Sequence, residues 1–307
     1  LVLLSHWFPR AERARANNLW MLCLPVSSVV SAPIGGLILA NTPGFRWLFV
    51  LEGIPPLVWA VVWAIVIKDS PKNANWMTAE EQNDLDAVLT AEREDRDRPD
   101  LGTYRRAMLS GPTWLFSVIY FLQALAGYGL AAFLPSLLKA NGFPISVVGV
   151  LTALPFAMAI IGLLVVGPIS DRALVRRKHI AIPAAIMGVG FVLSGLLSGY
   201  ATLSLIILVL AGFGLYAFLG PFWATVDQVL PPAVAGGSMG FINGLGNLGG
   251  FVGPSLVGIL AQVTHATHEY QPGFILLGVS AIVMSILAMQ IRLREGRRAA
   301  PEVAVGE

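Results

Sequence analysis

Eight stretches of mostly apolar residues recur along the chain, near 19–40, 47–67, 113–139, 145–170, 179–200, 203–228, 237–263 and 271–291. Each has about the 20 residues that carry a helix, at ~1.5 Å rise per residue, across a ~30 Å hydrocarbon core. They are too long for core strands, and the ~10-residue alternating segments of a membrane barrel are not visible. A backbone inside lipid must satisfy its own N–H and C=O groups, so helices are the remaining solution. The expected fold class is therefore all-α: a polytopic membrane protein with eight complete spans and a lipid bilayer as its solvent. Only 12% of the residues are charged and the mean hydropathy is +0.72, whereas a soluble domain carries about a quarter charged residues.

Several other classes lose support at this stage. The single cysteine, Cys23, lies in an apolar run and reads as a small packing residue, so neither a disulfide framework nor a Cys-rich metal site is expected. His265, His268 and Glu269 fall together in a loop, a weak metal signal, and no metal is expected there. No G-x-x-x-x-G-K-[ST] motif occurs, which leaves an ATP-driven pump unsupported. No nucleophile–base pair lies within the spans, so an enzyme is not expected, and no cofactor or nucleic-acid partner is either.

The charges are segregated along the chain. A polar segment from Lys68 to about Gly111 separates two hydrophobic blocks. Within it, Thr78 and Glu81 have capping-box spacing and Leu85, Val88 and Leu89 form a short apolar face, which predicts an amphipathic surface helix. The run from Glu92 to Asp100 alternates in sign and reads as solvated. With the loop near Pro9 placed in the cytoplasm, 18 of the 20 Lys and Arg fall on that side, leaving Arg46 and Lys139 outside. The positive-inside rule then orients the chain in a cell (inner) membrane with both ends of the second block cytoplasmic. The expected organisation is 1–67, the remainder of a first helical half, opening on the tail of its fourth helix; 68–111, a cytoplasmic central loop; 112–292, a second half of six helices; and 293–307, a cytoplasmic tail. Two similar six-helix halves would leave about three and a half helices absent before Leu1.

Motifs narrow the class further. Gly167-Pro168-Ile169-Ser170-Asp171-Arg172, followed by Arg176-Arg177-Lys178, combines a glycine, an Asp-Arg pair and a basic cluster after the second helix of the second block. Asp171 is suited to accept hydrogen bonds at a helix N-terminus and Arg172 to pair with a carboxylate, together latching an inner gate; a purely topogenic basic loop is the alternative. This run resembles the inner-loop signature of the major facilitator superfamily. His6-Trp7-Phe8-Pro9-Arg10, Gly44-Phe45-Arg46-Trp47-Leu48-Phe49-Val50-Leu51-Glu52-Gly53-Ile54-Pro55, Lys68-Asp69-Ser70-Pro71, Gly220-Pro221-Phe222-Trp223 and Asn243 to Pro254 are similar to segments of its anion:cation symporter family. The branch resembled most is the tartrate type.

The resemblance implies proton-coupled uptake of an organic anion (a dicarboxylate, sugar acid or aromatic carboxylate) by alternating access, in a protein expected to act as a monomer. The residues add candidates of their own. Asn243 and Asn247, at i and i+4, form a polar stripe, with Gly246, Gly250 and Gly253 on one flank and Gly240 and Gly244 on the other. They either line a substrate cavity or bond neighbouring helices. Gln123, Tyr120, Tyr128 and Trp223 are the candidate companions, each with ordinary packing as its alternative. Gly167, Asp171, Arg172 and Arg176 are the gating candidates. Glu52 is the one carboxylate well inside a span, fit either to brace a helix contact or to titrate during coupling. No Arg or Lys lies at the middle of a span, and the resemblance assigns the missing cation and acid largely to the first four helices. A truncated non-transporting or sensor-like member of the superfamily is the alternative reading, with a membrane-embedded enzyme behind it.

Overall fold

The computed structural model describes residues 3, 7–9, 16, 19–71, 74, 76–94, 101–172, 176–230, 234–264 and 270–291. All regular structure among them is helical. Eight segments are long and apolar enough to cross a membrane: Leu19–Asn41, Arg46–Val66, Gly111–Ala140, Ile145–Ser170, Arg177–Leu196, Ala201–Val229, Gly236–Val263 and Gln271–Met289. These match the eight expected spans to within a few residues. The helices are α1 (Cys23–Asn41), α2 (Arg46–Val66), α3 (Ala79–Glu94), α4 (Leu101–Met108), α5 (Gly111–Ala140), α6 (Ile145–Arg172), α7 (Arg177–Leu196), α8 (Ala201–Ala217), α9 (Leu219–Val229), α10 (Ala235–Asn247), α11 (Gly249–Val263) and α12 (Gln271–Met289).

The stretches 203–228 and 237–263 each run as one continuous span, with a one-residue irregularity at Phe218 and at Leu248 where φ and ψ stay helical. One expectation needs correction. Cys23 is exposed rather than packed.

In lipid, apolar side chains gain little by leaving the solvent, so association rests on close packing, and small residues at the crossings permit it. The most extensive pairing, α7 with α12, brings Gly188 and Gly278 together: a Cβ built on either would lie 2.8 or 2.6 Å from the other's carbonyl oxygen. α8 packs on both α6 and α7, and α5 carries α10, α11 and α12 on its flanks. Leu130, Leu134, Phe191, Leu208, Phe274 and Leu277 fill the interior so formed, each with no exposed surface.

Outside the spans, the expected capping box is present. The Thr78 N–H donates to Glu81 Oε2 at 2.9 Å, and the Glu81 N–H donates back to Thr78 Oγ1 at 3.3 Å. The two bonds to Thr78, from its backbone and its hydroxyl, hold the Glu81 carboxyl below its ordinary value. Of the apolar face expected on α3, Leu89 is buried and Leu85 half-buried, while Val88 is exposed. The short helix α4 was not foreseen. It docks Tyr104 over Gly237 of α10, where a Cβ would sit 2.7 Å from the ring. Farther back, Trp7 Nε1 donates to the Lys68 carbonyl at 2.9 Å and its ring stacks on Trp76 with centroids 5.5 Å apart, tying the segment before α1 to the segment after α2.

Candidate functional site

Two spans of the second block carry a one-residue irregularity within a continuous helix, and the two have separate local causes. Pro221 has no N–H to offer the Ala217 carbonyl four residues back, so one bond of the ladder is missing between α8 and α9, while the Phe222 N–H still donates to the Phe218 carbonyl at 2.8 Å. The second irregularity, at Leu248, falls in a run containing Gly244, Gly246, Gly249 and Gly250, each of which weakens a helix by ~1 kcal/mol relative to Ala. α9 has 11 residues and α10 has 13. Both points therefore lie about 16–20 Å from the basic end of the bundle, near the middle of their spans.

Tyr120 of α5 stands between α9 and the end of α10. Its ring stacks on Phe222 at 5.7 Å and meets Trp223 edge-on at 5.3 Å, both from α9. Its other side lies directly over Gly246 at the end of α10. Two turns farther along α5, Tyr128 lies over Gly250, where a Cβ would be 2.8 Å from Cδ2. Gly249 and Gly253 bring the α11 backbone onto the carbonyls of Phe121 and Leu125. The glycine flank noted in the sequence is thus the face that grips α5.

The Asn stripe lies about 100° around from that face. Asn247 Nδ2 donates to the Asn243 carbonyl at 2.9 Å and also to Asn243 Oδ1. Asn243 is half-buried and Asn247 exposed, and nothing lies within 4 Å of where Gly240 or Gly244 would carry a Cβ. Phe251 extends the stripe by one more turn and is 77% exposed. Sequence reading passed over it because an apolar residue in an apolar span carries no signal of its own. Neutral amides and a phenol can orient oxyanions, and the rings can cover a carbon skeleton. No Lys or Arg occurs in 113–138 or 236–263 to neutralise a carboxylate.

Gln123 is placed differently. It is 6% exposed and its Nε2 donates to the Leu215 carbonyl at 3.3 Å, tying α5 to α8. Thr225, passed over in the sequence, donates to the Pro221 carbonyl at 2.6 Å and is fully buried. Asp227 and Gln228 are exposed at the basic end of α9.

Among the gating candidates, Gly167 faces open space, Arg172 is exposed at the end of α6 and Arg176 is half-buried. Residues 173–175 and the Asp171 side chain lie outside the described residues, as do His265, His268 and Glu269. Among the described residues, no group of three His, Cys, Asp or Glu is placed to hold a metal ion.

Glu52 sits between α1 and α2. Ser31 Oγ donates to Glu52 Oε1 at 3.2 Å, and a Cβ on Gly35 would lie 3.1 Å from the same oxygen. On the next residue, Gly36 touches α6: its Cβ would lie 3.2 Å from Gly149 Cα. α1 rests on α6 along much of its length, and Met21, just before α1, is buried with Phe116 and Phe222.

Comparison with known proteins agrees with this architecture. A protein of Agrobacterium vitis named for tartrate transport is 31% identical over 303 residues, covering 94% of this chain and 65% of that protein. The quinolone resistance transporter of Acinetobacter baumannii is 28% identical over 86% of this chain and 62% of its own length. The chain thus spans less than two thirds of either curated relative. The solved structure of the proton:xylose symporter XylE bound to 6-bromo-6-deoxy-D-glucose superposes with a TM-score of 0.64 at 12% identity, covering 94% of this chain and 66% of that one, which establishes the fold alone. The family model described as Major Facilitator Superfamily matches residues 1–254 and again 116–306. On that match, which the eight spans and the shared fold accompany, the chain belongs to the major facilitator superfamily.

Proposed function

We propose that the protein is a secondary active transporter that takes up an organic anion together with protons by alternating access. It would work as a monomer in an inner membrane, with its basic end in the cytoplasm. The observation that carries this reading is the open Asn243–Asn247 stripe near mid-membrane, with Tyr120, Tyr128 and Trp223 around it. In a two-half transporter that is the face turned toward the partner half, where substrate is bound. The tartrate relative supports an organic anion as the substrate, with the amides orienting its oxygens. Asp171 and Arg172 would serve the cytoplasmic gate, joined by Arg176.

Uptake of labelled dicarboxylates and sugar acids into vesicles tests the class, with a quinolone as the competing probe suggested by the second relative. Asn243→Ala tests the site. Removing one substrate hydrogen bond costs about 1–3 kcal/mol, or about 5- to 150-fold in affinity, with little change in melting temperature. Lost thermal stability with unchanged affinity would return the two amides to helix packing.

A further inference from the structure

The second block begins at the corner between α4 and α5, and hydrogen bonds fix that corner. The Thr113 N–H donates to Ser110 Oγ at 3.4 Å, and fully buried Thr113 donates its hydroxyl to the Ala107 carbonyl at 2.8 Å. The last turn of α4 is thus bonded to the first turn of α5. Both helices then hold one line of α10: Tyr104 lies over Gly237, and Trp114 meets Phe241, one turn on, edge-on at 6.0 Å. At 100° per residue, half-buried Tyr104, Ala107 and Met108 share the inner face of α4. The opposite face carries Arg105, Leu109 and Arg106, in that order around the helix, and all three are exposed.

That uncovered face has a definite depth. The span begins at Gly111, and Leu109 before it is 64% exposed while Trp114 after it is 46% exposed. An uncovered leucine and indole at the end of a span mark where hydrocarbon gives way to headgroups. The Leu109 N–H donates to the Arg105 carbonyl at 3.1 Å, so an intact helical turn sets the two arginines about 5 Å farther out, at the level of lipid phosphates. Neither α5 nor α10 offers them a carboxylate: no Asp or Glu occurs in 101–170 or 234–263. We propose that this corner binds an anionic phospholipid, with Arg105 and Arg106 on its phosphate and Leu109 and Trp114 along its acyl chains. A guanidinium fork matches phosphate oxygens, and two of them favour a headgroup with net negative charge over a zwitterionic one. Because α4 is fastened to α5 and docked on α10, the bound lipid braces the basic ends of both helices. The site is apart from the Asn243–Asn247 stripe and does not depend on what the protein carries.

The test places a reporter at the corner. Gly111 is exposed with nothing within 4 Å of its Cβ position, so Gly111→Cys in a Cys23→Ser background accepts a fluorophore there. The full chain is reconstituted in phosphatidylcholine vesicles, and quenching by brominated phosphatidylglycerol is compared with quenching by brominated phosphatidylcholine at equal mole fraction. Phosphatidylglycerol should be preferred, by about fivefold for each arginine. Arg105→Gln combined with Arg106→Gln should erase the preference, and Arg105→Lys with Arg106→Lys, which keeps the charge, should retain one. Inorganic phosphate added at constant ionic strength should leave the quenching unchanged, because a free ion has no chains for Leu109 and Trp114. Equal quenching by the two lipids in the parent would mean that the acidic residues of 92–100 satisfy the arginines instead, and would overturn the proposal. A preference that survives the double glutamine variant, or one that phosphate abolishes, would overturn it as well. The lipid comparison and the phosphate arm use the parent alone, so they decide the matter even if the glutamine variant does not fold.

Discussion

Replacing Gly149 with alanine tests the close approach of α1 and α6 directly. The new methyl would sit 2.6 Å from the Ala32 carbonyl oxygen, 3.2 Å from Gly36 Cα and 3.3 Å from Pro33 Cα, all backbone atoms that no rotamer change can move aside. Ordinary contact begins at 3.4 Å, so the helices must part by about 0.8 Å at this point or lose the crossing. Overpacking on that scale costs about 1–3 kcal/mol. Helix propensity cancels from the comparison, because residue 149 stays helical whether or not α1 rests on it. The arrangement with the helices in contact should therefore lose about 5- to 150-fold in population relative to one with them apart. The assay is maleimide labelling of Val148→Cys in the Cys23→Ser background, with melting in detergent measured alongside. Gly53→Ala is the control: nothing lies within 4 Å of its Cβ position, so it should gain up to ~1 kcal/mol of propensity and leave labelling unchanged. If Gly149→Ala matches Gly53→Ala in both measurements, the two backbones do not meet as described and the reasoning fails.

Further outcomes follow from other parts of the structure. Gly249→Ala and Gly253→Ala push a methyl into the carbonyls of Phe121 and Leu125, and each should lower stability by about 1–3 kcal/mol in detergent melts, whereas Gly244→Ala, facing open space, should not. The orientation is checked with impermeant thiol reagents on sealed cells: Lys139→Cys should react and Arg177→Cys should not, and the reverse pattern would invert the topology. The Glu81 carboxyl is held below its ordinary value by Thr78, so the capping box contributes above that ordinary value and is lost as pH falls through the lowered one. Hydrogen-exchange protection of the first turn of α3 should fall on acidification in that window, and Glu81→Gln, which keeps a capping amide without the charge, should remove the dependence.

Much of the architecture was legible because a bilayer imposes a simple rule on sequence. Eight apolar stretches of the right length can only be helices, and the lengths printed in the chain agree with the helices to within a few residues. Local chemistry was legible for the same kind of reason: the Thr78–Glu81 box needs only three residues of spacing. The stripe Asn243–Asn247 and its glycine flank followed from the helical period. Ser31, Ala32, Pro33, Gly35 and Gly36 make a thin section of α1 by their size alone, but nothing in the sequence shows what that section meets. Tertiary structure alone decided the partners. Whether a glycine in a span grips a neighbour, as Gly246 does Tyr120, or faces open space, as Gly244 does, depends on which helix lies beside it. Gln123 looked like a cavity amide by its depth, yet its nearest acceptor is Leu215, 92 residues away in the chain. Phe251 is told apart from the other apolar residues of its span only by what fails to cover it. Glu52 was visible as a lone carboxylate, but its place behind the Gly36–Gly149 contact depends on α2, α1 and α6 being stacked in that order. Periodicity and hydropathy report the environment a segment needs, which one sequence carries. The identity of the group that satisfies each need is a property of packing between segments far apart in the chain, and no local signal records it.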